Sequence, residues 1–428
     1  MAKINELLRE STISTSNQIG RPNLVALTRA TTKLIYSDIV ATQRTTQPMA
    51  AFYGIKYLNQ DNEFTWRTGA TYAGEAGFVD RKTIPEVTEA NKGSLKSGDL
   101  FQLNKIVYKC LKDDPFGSIT ETDMELATQI AVVLLTVRIF SDAARTEKFE
   151  GGEDTEIAEA RFLVNKWQTH VKSRKLKTSV TVELAQDLEA NGFDAPNFIE
   201  DLLATEMADE INKDILQSLI TVSKRYKVEG ITDTGFIDLS YASAPEAGRS
   251  LYRMVCEMVS HIQRESTYTA SFCVASTRAA AVLAASGWLK HKPEDDQYLS
   301  QNAYGFLANG LPLYCDTNSP LDYVIVGVVE KLGEKELIGS IFYAPYTEGA
   351  DLDDPEHVGA FKVITDPESL QPSIALLVRY ALSANPYTVA KDDKEARVID
   401  GGDMDKMAGR SDLSVLLGVK LPKIIIEE

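Results

Sequence analysis

The stretch PNFIEDLLATEMADEINKDILQSLITVSKRY, from Pro196 to Tyr226, decides how the rest of the chain is read. Pro196 stands where a first helical turn tolerates proline, with Asp194 upstream as a cap. Phe198, Leu202, Ala208, Ile211, Ile215, Leu219 and Val222 then keep a helical period. The spacing predicts one helix of roughly 31 residues, about 46 Å long at about 1.5 Å per residue. Globular helices average about 11–12 residues, so this one is a strut. No heptad repeat supports a coiled coil, and no helical neighbour of equal length supports a bundle. A large flat subunit is the remaining setting for it.

Outward from the strut the text changes character on each side. Upstream, Met1–Gly20 is polar and reads as a flexible arm with a short Ile4/Leu7/Leu8 stripe. Residues 63–120 are strand-like and turn-rich, which predicts a small β-rich inserted module. Thr122–Arg145 is read as a helix with Leu126, Ile130, Val133, Leu134, Val137 and Phe140 on its apolar face. A strand follows in which Trp167, Thr169 and Val171 are dry and Lys166, Gln168, His170 and Lys172 are wet. Thr181–Ala190 reads as a short helix ending at Asn191-Gly192. Downstream the pattern is α/β-like: helices at Glu246–Arg264 and Thr277–Trp288, strands at Ser271–Ala275 and Tyr323–Val329. Strand-rich text closes the chain at Ile338–Tyr343, Ala360–Ile364, Ser373–Leu382 and Val415–Ile426. The fold class expected is α+β in at least two domains, as 428 residues would suggest.

Composition narrows the functions available. Apolar residues make up 44% and charged residues 25%, a globular balance. Apolar runs such as Ile130–Val137 are far shorter than the roughly 20 residues needed to span a bilayer, so no membrane insertion is expected. The formal charge of −17 is the wrong sign for a free-standing nucleic-acid binder. Cys110, Cys256, Cys273 and Cys315 are scattered, as are His170, His261, His291 and His357, which suits folding in a reducing cytoplasm without a disulfide frame or zinc site.

Catalytic patterns are missing. There is no P-loop, no nucleophile elbow and no H-E-x-x-H, and Gly69, Gly74 and Gly77 lack the strand-to-helix context of a phosphate cradle. Asp351-Leu-Asp-Asp-Pro-Glu-His357 departs from the calcium-loop order and reads as a solvated acidic turn. No catalytic residue, metal site or cofactor is expected. Lys166, Lys172, Arg174, Lys175 and Lys177 form the densest basic run. One reading of it is a phosphate-binding strand over 166–177; the favoured one is a face for an acidic neighbouring subunit, with Lys172, Arg174 and Lys177 as contacts. Trp167 alone supplies a stacking ring, where single-strand binders use several. An enzyme whose site assembles only in three dimensions is a third reading.

Longer motifs give a resemblance. Lys172-Ser-Arg-Lys-Leu-Lys177, Glu183-Leu-Ala-Gln-Asp-Leu188, Ala204-Thr-Glu-Met207 and Glu210-Ile-Asn212 look like the capsid shell proteins of T-even-type bacteriophages. Phe342-Tyr-Ala-Pro-Tyr346, Asp366-Pro-Glu-Ser-Leu-Gln-Pro372, Arg379-Tyr380 and Ala384-Asn-Pro-Tyr387 match the same group. With Gly20-Arg-Pro-Asn-Leu-Val-Ala-Leu-Thr-Arg-Ala30 and Leu413–Ile426, the similarity to the vertex-forming branch runs nearly end to end. The major, hexamer-forming branch is similar in the strut and the C-terminal third but is a longer chain, and stands as the alternative.

That resemblance implies the Hong Kong 97-type tailed-phage capsid fold and no enzyme activity. Mapped onto this sequence, it gives a propeptide at 1–10, an N-terminal arm and start of the E-loop at 11–62, and the β-rich domain inserted in the E-loop at 63–120. A peripheral domain with its spine helix at 196–226 would cover 121–231. An axial domain would cover 232–335, and 336–428 would return through the peripheral domain to the C-terminal segment. The implied partners are a homo-pentamer, hexamers of the major capsid protein, a head-maturation protease, an internal scaffold and accessory head proteins. The implied location is the virion capsid after assembly in the host cytoplasm, with no specific nucleic acid bound. The family's protease cuts after Glu in an Ile/Leu-x-Glu pattern, and Leu8-Arg9-Glu10 fits, which places the cut between Glu10 and Ser11. Ile4-Asn-Glu6, Ile84-Pro-Glu86, Ile119-Thr-Glu121 and Leu332-Gly-Glu334 also match, and an exposed tail selects Glu10.

Overall fold

The computed structural model describes residues 35–62, 69–150, 157–179, 181–183, 186, 195–290, 303–332, 336–346, 360–365, 372–386 and 400–423. The expected cleavage residues Leu8, Glu10 and Ser11, most of the helix expected at 181–190 and the acidic turn expected at 351–357 lie outside the described residues.

The strut is a single helix, Ala195–Val222, of 28 residues. Its buried side includes Leu203, Met207, Ile211, Ile215, Leu216 and Leu219. It ends at Val222, four residues before Tyr226, because the chain there enters a strand, Ser223–Arg225. Ser223 Oγ donates back to the Leu219 carbonyl at 2.6 Å, while Lys224 and Arg225 pair in parallel with Val415 and Leu416. Ladder hydrogen bonds across a sheet replace those of another helical turn, so helical periodicity alone overruns the true end.

Two sheets meet this helix. The first runs in the order Ala41–Thr42, Phe342–Pro345, Pro372–Ser383, Ala360–Thr365, with Lys172–Ser179 on the other edge of Pro372–Ser383. The second has eight strands, ordered Leu289–Lys290, Gly305–Leu307, Pro312–Asp316, Phe272–Ser276, Tyr323–Gly327, Ser411–Lys420, Ser223–Arg225, with Phe236–Asp238 also on Ser411–Lys420. Its central strands, FCVAS and YVIVG, are buried at every position. Strand alternation explains this. Cys273, Ala275, Val324 and Val326 face helices Ala244–Ser266 and Thr277–Ala285, whereas Phe272, Val274, Tyr323 and Ile325 face the long helix. The neighbour of Tyr323–Gly327 is Ser411–Lys420, so the segment assigned to the return through the peripheral domain completes the sheet of the 232–335 unit. Its Val415, Leu417 and Val419 join the core of that unit.

Residues 69–142 contain a separate small unit. Leu100–Leu103, Ile106–Cys110 and Val137–Ile139 form its sheet, and Met124–Val133 its helix. One core of Val87, Leu95, Phe101, Cys110, Phe116, Ala127, Ala131 and Val137 joins them, so the module continues well past residue 120. The helix read over 122–145 stops at Val133; Leu135 takes a left-handed φ of 54°, and Val137 turns back to pair with Cys110. The helix also faces the opposite way from its apolar stripe. Ala127, Thr128 and Ala131 are buried, while Leu126, Val133 and Leu134 are exposed. Small side chains let the helix lie close against the strands, and that contact decides the buried side.

Met49–Leu58 and Arg161–His170 form a two-stranded antiparallel ribbon. The expected alternation holds: Trp167 and Thr169 are buried, and Lys166, Gln168 and His170 are exposed. Phe52 stacks on Trp167 at 5.5 Å and packs against Phe342 at 5.3 Å, and Trp167 Nε1 donates to Ser383 Oγ at 3.0 Å. These contacts fix the root of the ribbon to the first sheet.

Candidate assembly surfaces

The basic run is divided by the fold. Lys166 belongs to the ribbon, whereas Lys172, Arg174, Lys175 and Lys177 lie on the edge strand Lys172–Ser179. Alternation then separates that strand's cations. Lys172 and Arg174 face an open cleft shared with Asp214 and Tyr380, while Lys175 and Lys177 project from the opposite side. The three expected contact residues therefore do not form one face. Lys172 and Lys177 are exposed, and Arg174 is half-buried.

Arg174 is engaged within the chain. Its Nη1 donates to Glu210 at 2.8 Å, its Nη2 lies 3.0 Å from Asp214, and its Nε donates to Tyr380 Oη at 2.5 Å. Tyr380 Oη in turn donates to Asp214 Oδ2 at 2.5 Å. Burial pulls the Arg174 guanidinium down, but its hydrogen bonds to Tyr380 and Asp214 outweigh this and hold it above the ordinary value. Burial first, then the hydrogen bond to Asp214, pushes the Tyr380 phenol up. The network ties the edge strand and Pro372–Ser383 to the long helix. No sequence signal marks it, since residues 174, 214 and 380 are far apart in the chain.

Sequence reasoning also missed the outer face of the ribbon. Ile55 lies opposite Val164 and Tyr57 opposite Phe162, and with Tyr53 these side chains are exposed, Tyr53 at 66% and Phe162 at 74%. The inner face, with Ala50, Phe52 and Trp167, is buried. Apolar residues at both parities of Met49–Leu58 are the signal available in the sequence: a strand apolar on both sides needs two partners. Contiguous exposed apolar surface of this kind marks a site of association.

Chemistry is not concentrated anywhere on the described surface. Among the described residues no three His, Cys, Asp or Glu groups are placed to hold a metal ion. Burial, with Asp99 nearby, pushes the Cys110 thiol up to about 11, and burial alone raises Cys273 further, which disfavours their nucleophilic thiolates.

The described residues thus combine a long helix, two sheets packed on it and a ribbon with an exposed apolar face. The family model described as major capsid protein Gp23 matches residues 17–419, and the chain belongs to that family of structural capsid proteins. It is 85% identical, over 428 residues and 100% of both chains, to the capsid vertex protein of Enterobacteria phage T4. It is 25% identical over 426 residues to the major capsid protein of the same phage, covering 90% of this chain and 79% of that one. Among solved structures, the capsid of Myoviridae phage XM1 aligns at a TM-score of 0.40 with 8% identity, covering 95% of this chain and 99% of the other.

Proposed function

We propose that this capsid vertex protein of the T4 type forms pentamers at the fivefold corners of an icosahedral phage head, set among hexamers of the major capsid protein. The observation that carries the reading is its 85% identity to the T4 vertex protein over 428 residues. A hexamer-forming role has weaker support, because identity to the T4 major capsid protein is 25% and leaves part of that longer chain unmatched. In this reading the fold is the Hong Kong 97 type. Ala195–Val222 is its spine helix, the ribbon is its E-loop, the small unit is the inserted domain, and the eight-stranded sheet is the axial domain.

The ribbon's outer face and the exposed lysines Lys172 and Lys177 meet neighbouring subunits; Arg174 positions their strand from within the chain. With its guanidinium already paired, a phosphate-binding role for 166–177 loses one of its central cations. Assembly takes place in the host cytoplasm on an internal scaffold, accessory head proteins bind the finished shell, and the maturation protease cuts between Glu10 and Ser11. The competing match at Ile84-Pro-Glu86 has its Ile84 side chain buried, which disfavours that site. Electron microscopy of the purified chain mixed with the major capsid protein tests the reading: rings or shells are expected, and inert monomers would refute it.

A further inference from the structure

One end of the eight-stranded sheet is left open on the side of the long helix. Val415, Leu417 and Val419 point into the core beneath the two shorter helices, so Leu416, Gly418 and Lys420 lie on the opposite face. Register places Arg225 beside Leu416, Phe236 beside Gly418 and Asp238 beside Lys420 on that same face. Leu416 packs in the core of the long helix, whereas Phe236, one pair further along, is 57% exposed. Leu321, 61% exposed, flanks the other side of Lys420, because Val419 N donates to the Asp322 carbonyl at 2.9 Å. The Lys420 ammonium is held up first by its hydrogen bond to Asp238 and further by the Tyr241 hydroxyl, which places Tyr241, 94% exposed, beside that pair. Phe236, Tyr241 and Leu321 thus ring an ion pair, a cluster of exposed apolar side chains that marks an interaction site. Arg225, beyond Phe236, gives Nη1 to the Ile220 and Ser223 carbonyls at 2.8 and 2.7 Å and has no carboxylate partner among the described residues.

We propose that residues 424–428, Ile-Ile-Ile-Glu-Glu, turn back after Pro422 and lie along this face of their own chain, the isoleucines on Leu321, Tyr241 and Phe236 and a glutamate on Arg225. Three observations select that occupant. The segment starts beside the cluster: Leu421 packs on the core, Pro422 has no N–H to continue the ladder, and Arg278 Nη2 holds the Pro422 carbonyl. The order matches. From Lys420 back toward Leu416 the face presents apolar side chains and then a cation, and the segment presents isoleucines and then carboxylates. The length matches as well: the extended segment spans roughly 16 Å, and the strand from Lys420 to Leu416 roughly 13 Å. Seated there, the segment closes an apolar sheet end that would otherwise be open to a second copy.

Paired cysteines in the isolated chain test the placement. With Phe236→Cys and Ile426→Cys combined and oxidised mildly, peptide mass spectrometry should find the two positions joined within one chain, and circular dichroism should be unchanged. A dimer linked through these positions would overturn the proposal in favour of exchange with a second copy. No disulfide at all in a folded chain would overturn it outright. Deletion of residues 424–428 leaves Phe236 in place and gives a second measurement. It should raise the fluorescence of the apolar dye anilinonaphthalene sulfonate about twofold or more, because the cluster is uncovered. Unchanged dye fluorescence in the deleted chain would overturn the docking. Neither readout depends on shell formation, so both separate this contact from the shell reading.

Discussion

Arg174→Met separates the role of this residue within the subunit from any role between subunits. Methionine keeps the apolar stem and removes the bonds to Glu210, Asp214 and Tyr380. A hydrogen bond to a charged group contributes about 1.5–3 kcal/mol when well buried. The Arg174 and Asp214 side chains remain 34% and 32% exposed, and Glu210 is 48% exposed, so solvent screening reduces the ionic share. Asp214 also keeps the Tyr380 hydroxyl and is not orphaned. The loss expected is about 1–2 kcal/mol of subunit stability. Urea denaturation of the isolated chain should show a lower midpoint with an unchanged slope. Asp214→Asn should be non-additive with it, with a coupling of about 1 kcal/mol. Lys177→Met, an exposed position on the other side of the strand, should stay within about 0.5 kcal/mol of the unmodified chain. Equal stability of the Arg174 and Lys177 variants, with no coupling to Asp214, would refute the intrachain lock.

The small unit should be separable: Leu58 and Arg161 are paired at the ribbon tip, so joining them by a two-residue Asn-Gly turn closes the hairpin. Circular dichroism and cooperative melting of the remaining chain should survive that deletion, whereas Ile211→Pro, in the buried face of the long helix, should cost about 3 kcal/mol or more and abolish assembly. At the N-terminus, Glu10→Ala should leave folding intact and stop processing, which mass spectrometry of the virion protein reads directly; a chain beginning at Ser11 in that variant would disprove the assigned cut. Asp238 is held down at about 2 by its hydrogen bond from Lys420 and by Ser240. Because its folded value lies below the ordinary one, the pair stabilises the fold in full above about pH 4 and loses its effect as pH falls toward 2. Calorimetry should find that the Tm gap between the unmodified chain and Asp238→Asn is constant at neutral pH and closes between pH 4 and 2; a gap persisting at pH 2 would count against the pairing.

Local chemistry written along the chain was legible without coordinates. The 3.6-residue period made the long helix unmistakable, and the apolar run at Tyr323–Val329 marked a strand, found at Tyr323–Gly327, because each follows from backbone geometry that neighbouring residues impose on one another. The residues in motifs shared with phage shell proteins carried the family in the same way. Tertiary contacts decided the rest. The long helix stops at Val222 because Lys224 and Arg225 find a partner strand nearly 200 positions later. Met124–Val133 buries Ala127 and Ala131 rather than Leu126 and Val133 because a sheet approaches on that side, and no local period can say which face a neighbour will take. Arg174 looked like part of a free basic face until Asp214 and Tyr380, distant in sequence, were brought within hydrogen-bonding reach. A side chain's type is fixed by its own position, but its burial and its partners depend on which distant strands and helices pack beside it.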